Sequence, residues 1–258
     1  MTDILQEAVS LSNGRRMRGG ILAYAYPLPE NWEHGIAFLG GGCVEPQITG
    51  PCAVTDRVES RPGDASIFEP VFITQTAACS MLSKVGVVDL AANRLEATTE
   101  WALGVALATG AQSTNPALTD AENVTNADDV VDAVSCLEFA AGNYGYGAEI
   151  FLHAPLRAAA YLRSNHLIED GFSPSGFRWV LNPGYPADDE LVTIWATGTL
   201  FAGVTDAETL INPATGMPPV GWQMNTSAAF RQRLGLAAFD PCLNLSATFT
   251  VPLCTGGS

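Results

Sequence analysis

The sequence predicts an α+β fold, on three observations. Between residues 72 and 109 apolar positions return every three or four residues, the period of one helix face. Residues 148–152, "FRWVLNPGY", "LVTIWATGTLFAG" and the tail "NTSAAFRQRLGLAAFDPCLNLSATFTVPLC" read instead as short strands bounded by turns. Residues 21–70 show almost no helical period and are rich in glycine and proline. The resulting order is a loop region, a long helix, a β-α-β-β lobe and closing strands.

Each element has its own signal. Residues 1–20 form a polar arm ending in "NGRRMRGG", with Arg15, Arg16 and Arg18 beside flexible glycines; it reads as a docking arm or as a solvated arginine cluster. Residues 21–70 hold "GILAYAYPLP", "HGIAFLGGGCVEPQITGPC" and "RVESRPGDASIFEP", short strands joined by turns that suggest an extended β-hairpin loop. Such a length without a core of its own needs another surface to lie on. In the long helix Met81, Leu82, Val85, Val88, Ala92, Leu95, Thr99, Ala102 and Ala106 form the expected face. Gly86 is its expected break, Asp89 the N-cap of the longer half, and Gly110 the stop. "NPALTDAENVTNADDVVDAVSCLEFAAGNYGYG" opens as an acidic loop and becomes a helix near Ala127, with Asp128, Asp129 and Asp132 favourable against the helix dipole and Gly142 and Gly145 ending it. A strand over 148–152 leads into a helix over 155–169, with Pro155 in its first turn and Gly171 as its stop.

Composition narrows the function. The chain has 258 residues, 47% hydrophobic and 15% charged, against about 25% charged in an ordinary soluble domain. So few charges suit a surface buried against copies of itself, although ordinary enzymes reach the same value. A net charge of −15 argues against a general nucleic-acid binder, which needs a basic face. Of the 12 basic residues only Lys84 is a lysine. Arginine suits bidentate pairing with carboxylates at interfaces, and a coding bias towards arginine is the alternative. The six cysteines show no CxxC pair and no histidine at zinc spacing, so no metal site and no cofactor is expected. Reduced thiols are expected, with Cys43 and Cys52 the one pair spaced for a disulfide. "MTDILQEAVS" lacks the pattern of a signal peptide, and no apolar run approaches the ~20 residues of a membrane span; the expectation is a soluble, cytosol-made protein.

The candidates for chemistry are few. His153 stands at a strand-to-helix corner, where many catalytic residues lie, but no GxSxG elbow accompanies it. A Cys-His pair could be assembled from His153 with Cys136 or Cys242; a capped or solvated histidine is the simpler reading. Gly40-Gly41-Gly42 matches no phosphate loop. The acidic groups Asp128-Asp129 and Asp188-Asp189-Glu190 read as solvated faces rather than cation sites. No catalytic residue is assigned.

The order of elements resembles the tailed-phage major capsid protein, the Hong-Kong-97-type fold that encapsulin shell proteins share. The segments that carry the resemblance are "FEPVFITQTAACSMLS", "LEATTEWALGVALATG", "GAEIFLHAPLRAAAYLRSNHLI" and "RQRLGLAAFDPCLNLSATFTV". It implies an N-terminal arm over 1–20, an extended loop over 21–70, a peripheral domain with the spine helix over 71–119 and 226–258, and an axial domain over 120–225. It further implies self-assembly into an icosahedral shell of pentamers and hexamers, or of pentamers only, around phage double-stranded DNA held without sequence-specific contacts. The expected location is the virion, after synthesis in the host cytoplasm, with no membrane and no enzymatic activity. Portal, scaffold and decoration proteins are the expected partners, any scaffold being a separate protein. Residues 19–70 contain no lysine, so the isopeptide link known in this family is not expected. The interface candidates are Arg15, Arg16, Arg18, Trp32, Glu45, Arg57, Arg61, Glu69, Arg157 and Arg163. An encapsulin-type compartment holding cargo enzymes, and an α+β enzyme using His153 with a cysteine, are the alternatives.

Overall fold

The structure is a computed structural model and describes residues 19–38, 66–79, 84–110, 115–144, 149–188, 190–209 and 227–251. Along the chain come a helical turn α1 (Ile21–Tyr24), a 3-10 turn (Trp32–His34), and strands β1 (Ile36–Phe38), β2 (Ser66–Phe68) and β3 (Val71–Cys79). The long helix α2 (Lys84–Thr109), a 3-10 turn (Leu118–Asp120), β4 (Glu122–Ala127) and α3 (Val130–Tyr144) follow. Then come β5 (Phe151–Pro155), a 3-10 turn (Leu156–Ala158) running into α4 (Ala159–Ser164), β6 (Arg178–Asn182), β7 (Leu191–Thr197) and β8 (Leu200–Val204). β9 (Glu208–Thr209), β10 (Ser227–Phe239) and β11 (Asn244–Thr250) complete it. Arg15, Arg16, Arg18, Cys43, Glu45, Cys52, Arg57, Arg61, Met81 and Leu82 lie outside the described residues.

A five-stranded sheet in the order β4-β11-β7-β5-β6 is covered on both faces over its β5–β7 half. The two-residue period of a strand sends alternate side chains to opposite faces. Leu152, Ala154, Trp179, Leu181, Val192, Ile194 and Ala196 therefore share one face, packed with Val134 and Leu137 of α3 and Leu162 of α4. Phe151, Val180 and Trp195 share the other, packed with Leu95, Leu103 and Leu107 of α2. Burial on both faces explains why these strands read as near-continuous apolar runs. β5 and β6 are parallel and are joined through α4, while β4 runs parallel to β11.

β10 is the centre of a second sheet, antiparallel to β3 on one side and to β8 and β9 on the other. α2 lies across it, with Val87 and Ala91 packed on Ala77 and Ala229. Both flanks of the helix are tied down. Arg94 Nη1 donates to the Thr76 carbonyl at 3.1 Å, and Glu96 receives both terminal nitrogens of Arg233. Arg233 is 7% exposed, so Glu96→Ala leaves a desolvated guanidinium without its partner. The expected cost is about 2 kcal/mol, read as a lower denaturation midpoint of the unassembled chain; an unchanged midpoint would show the pair contributes nothing.

Several expectations change. α2 runs unbroken through Gly86, because neighbouring Val87 and Ala91 are seated on the sheet, so Asp89 is an interior residue rather than an N-cap. Gly110 does stop it, at φ +71°, and a Cβ there would collide with the Asn115 carbonyl. The acidic loop is largely strand β4, whose ladder is supplied by β11. α3 begins at Val130, with Asp129 Oδ1 accepting from the Val131 and Asp132 amides at 2.7 and 3.0 Å. The 148–152 strand lies at 151–155, and Pro155 ends it instead of opening a helix; the 155–169 helix shrinks to the 3-10 turn and α4. Cys242 is disulfide-bonded, against the expectation of reduced thiols. β8 pairs with β10, and β11 pairs with β4 and β7.

Candidate assembly interface

Residues 19–26 form a strap that joins the two sheets. The Leu181 amide of β6 donates to the Gly19 carbonyl at 2.8 Å. The amides of Ile21 and Leu22 donate to the Glu100 carboxylate of α2. Tyr26 exchanges backbone bonds with Leu200 and Ala202 of β8 at 2.8 and 3.0 Å. Gly19 therefore lies at the junction of α2 and β6. Beyond the strap, β1 and β2 pair antiparallel as a two-stranded base, Ile36 opposite Phe68 and Phe38 opposite Ser66. The aromatic chain Phe38–Phe68–Phe239 fixes this base to the core, with centroids 5.6 and 5.4 Å apart.

A partly buried cation sits beside the strap. Arg178 has its guanidinium 5.4 Å from the ring centres of both Tyr24 and Phe172 and 3.5 Å from Glu149, whose carboxylate also accepts from the Tyr26 hydroxyl. That hydrogen bond, with the charge of Glu149, raises the Tyr26 pKa. Stacking and pairing together hold the guanidinium in one place.

The sequence candidates do not form one cluster. Trp32 is half-buried against the core that holds Leu95, Leu103 and Leu107. Glu69 is exposed, its backbone fixed by the Asn115 side-chain amide at 2.8 and 2.9 Å. Arg157 donates to the Asp188 carbonyl at 2.6 Å, and Arg163 is exposed on α4. The exposed apolar side chains were missed: Phe139 on α3 is 74% exposed and Phe72 on β3 69%, with Ile67, Trp101 and Leu191 also half or more exposed. Both phenylalanines were readable by period. Phe139 falls on the helix face opposite Leu137, and Phe72 alternates with the buried Ile73.

His153 is architecture. It has no exposed surface and lies on the α2 side of the five-stranded sheet. Its Nδ1 is 2.8 Å from the Tyr185 hydroxyl and its Nε2 2.8 Å from the Thr197 hydroxyl. Thr197 spends its proton on the Gly198 carbonyl at 3.0 Å, so Nε2–H donates to Thr197 and Nδ1 accepts from Tyr185. Burial lowers the imidazole pKa to about 3. Cys136 lies on the exposed side of α3, across the sheet, and Cys242 is in a disulfide, so neither cysteine pairs with His153. Among the described residues no three His, Cys, Asp or Glu gather as metal ligands, and no helix is long and apolar enough to cross a membrane.

No family model and no curated protein matches the chain. Solved structures do. The fold is similar to that of Mycobacterium phage Ogopogo, at TM-score 0.57 and 12% identity over 92% of this chain and 93% of that one. It is similar to the capsid of an empty GTA particle computed with C5 symmetry, at TM-score 0.56 and 13% identity over 91% and 97%. A virus-like particle from Pyrococcus furiosus also matches, at TM-score 0.51 and 10% identity over 93% and 95%. The class these matches define is the capsid fold, and the chain has that Hong-Kong-97-type fold over nearly its whole length.

Proposed function

We propose that the chain is a major capsid protein that assembles into an icosahedral shell around phage double-stranded DNA. The observation that carries this reading is the likeness to capsid structures over more than nine-tenths of both chains. Exposed Phe139, Phe72, Trp101 and Ile67 on separate elements support it, since a solitary subunit gains nothing from leaving them in water. In this reading the chain's chief partner is itself, in pentamers and hexamers or pentamers alone. The DNA is contained rather than read, in keeping with a net charge of −15. Portal, scaffold and decoration proteins, the virion location and synthesis in the host cytoplasm belong to the same reading. So do the arm, loop, peripheral and axial divisions and the ten interface candidates.

Electron microscopy of the purified chain tests it: closed shells of uniform diameter are the expected result, and a monodisperse monomer at high concentration would refute it. Phe139→Asp places a charge on a side chain already in water, so the subunit keeps its melting temperature and its assembly yield falls at least tenfold. Assembly unaffected by this change would remove the outer face of α3 from the interface.

The likeness to the Pyrococcus particle supports a second reading, an encapsulin-type compartment that holds cargo enzymes. Nuclease-protected DNA inside particles from the native source favours the first; a co-purifying protein cargo favours the second.

A further inference from the structure

β3 is the outer strand of its sheet: among the described residues it pairs with β10 alone. The direction of its free groups can be worked out. On β10, Leu234 gives both its backbone groups to Thr205: its amide donates to the Thr205 hydroxyl at 3.0 Å and its carbonyl accepts from the Thr205 amide at 2.9 Å. Leu234 therefore faces away from β3, and Phe72, which stands opposite it, is a non-hydrogen-bonded partner. In an antiparallel pair the N–H and C=O of one residue point the same way and alternate along the strand. Phe72, Thr74, Thr76 and Ala78 thus all aim their backbone groups outward. The Thr76 carbonyl, caught by Arg94 at 3.1 Å, agrees.

This edge lacks the usual protections. "VFITQTAAC" contains no charge, no proline and no glycine, and its Phe72, Thr74 and Thr76 side chains are exposed. In a chain of net charge −15 the edge carries no acid, and the charged side chain that reaches it is a cation, Arg94. The acid repulsion expected between copies of so negative a chain is therefore absent from the strand itself.

We propose that β3 pairs with β3 of a second copy of this chain, antiparallel across a two-fold axis centred on Gln75, which joins the two β3-β10-β8 sheets into one. The strand is self-complementary in that register. Thr74 falls opposite the second copy's Thr76 and Phe72 opposite its Ala78, all of them residues with outward backbone groups, as hydrogen-bonded pairs require. Gln75 meets Gln75, and Ile73 meets Ala77, in the non-hydrogen-bonded positions. A contact of one patch with itself is the isologous kind that closes a two-fold. Arg94 holds the Thr76 carbonyl until the second copy's Thr74 amide takes it. A nine-residue strand is shorter than the 20–30 residues per side of a stable free-standing interface, so the pair is a joint within a larger assembly and rests on the self-assembly reading above.

The test uses the full chain in a Cys136→Ser background, with linkage counted against the same chain that keeps Gln75, since five other cysteines remain. Gln75→Cys places one thiol at the axis, and mild oxidation of assembled protein should give disulfide-linked dimers on a non-reducing gel. Adding Thr74→Pro removes an outward amide that β10 does not use and should lower linkage at least tenfold. Phe72→Lys, at a site already in water, should do the same without relying on proline being tolerated. Shells that form without linkage, or linkage that survives both changes, overturn the joint and leave the shell reading intact. Linked dimers from a protein that never forms shells support the joint and refute the shell.

Discussion

Gly104→Ala is expected to destabilise the subunit by about 3 kcal/mol, although alanine is the better helix former by about 1 kcal/mol. The reason is the contact between α2 and the end of β6. Asn182 has no exposed surface, and its Nδ2 donates to the Glu100 carbonyl at 3.0 Å and the Glu100 carboxylate at 3.2 Å. Its Oδ1 accepts from the Gly184 amide at 2.7 Å. A Cβ on residue 104 would collide with that Oδ1 and lie 2.9 Å from Nδ2. The amide cannot move without giving up three bonds in a dry site, and each such loss costs about 1–3 kcal/mol. The same Glu100 carboxylate anchors the strap at Ile21, so the damage reaches the N-terminal segment. Thermal unfolding of the unassembled chain should show a fall of about 10 °C, at roughly 2–4 °C per kcal/mol for chains near this size. Asn182→Ala together with Gly104→Ala should cost little more than Asn182→Ala alone, because the collision is then gone. A Gly104→Ala subunit that melts at or above the parent temperature would mean that helix propensity wins and the close approach is not there.

The Gly104–Asn182 contact also marks where sequence reading stops. Strands β6 and β7 announce themselves, because burial on two faces demands apolar runs of strand length. Gly110 is legible as a stop, since a helix followed by a left-handed residue favours glycine. Gly86 looks like the same signal and is not: it lies inside α2, and the packing of Val87 and Ala91 overrides its poor propensity. β4, "ENVTNA", is too polar to read as a strand, and its partner β11 comes more than 110 residues later. For the same reason Glu96–Arg233 and Glu100–Asn182, separated by 137 and 82 residues, leave no local trace. The capsid-type fold was legible from the order of elements, while six of the ten interface candidates, Arg15, Arg16, Arg18, Glu45, Arg57 and Arg61, lie outside the described residues.

Acid should weaken the subunit through His153. Unfolded, the imidazole takes its proton near pH 6.5; folded, burial holds it neutral down to about 3. Above pH 6.5 both states are neutral and the residue adds no pH dependence. Between 6.5 and 3 the unfolded chain binds a proton that the folded one refuses, so stability falls as pH falls, by up to about 1.4 kcal/mol per pH unit. Below about pH 3 both states are protonated and the loss levels off. The groups facing the ring are the hydroxyls of Tyr185 and Thr197 and the edge of the Tyr185 ring. Tyr185 is itself held neutral, its pKa raised well above 10 by burial and then by Glu100, so its hydroxyl offers an imidazolium no negative charge. The many carboxylates titrate in the same range, and the informative quantity is therefore a difference. The stability gap between the parent and His153→Gln, measured by urea unfolding at each pH, should move in favour of the variant by about 3 kcal/mol from pH 6.5 to 4. A gap that stays constant across that range would show that the imidazole is protonated as easily inside the sheet as in water, and that the Tyr185–His153–Thr197 bridge opens before it is asked to carry a charge.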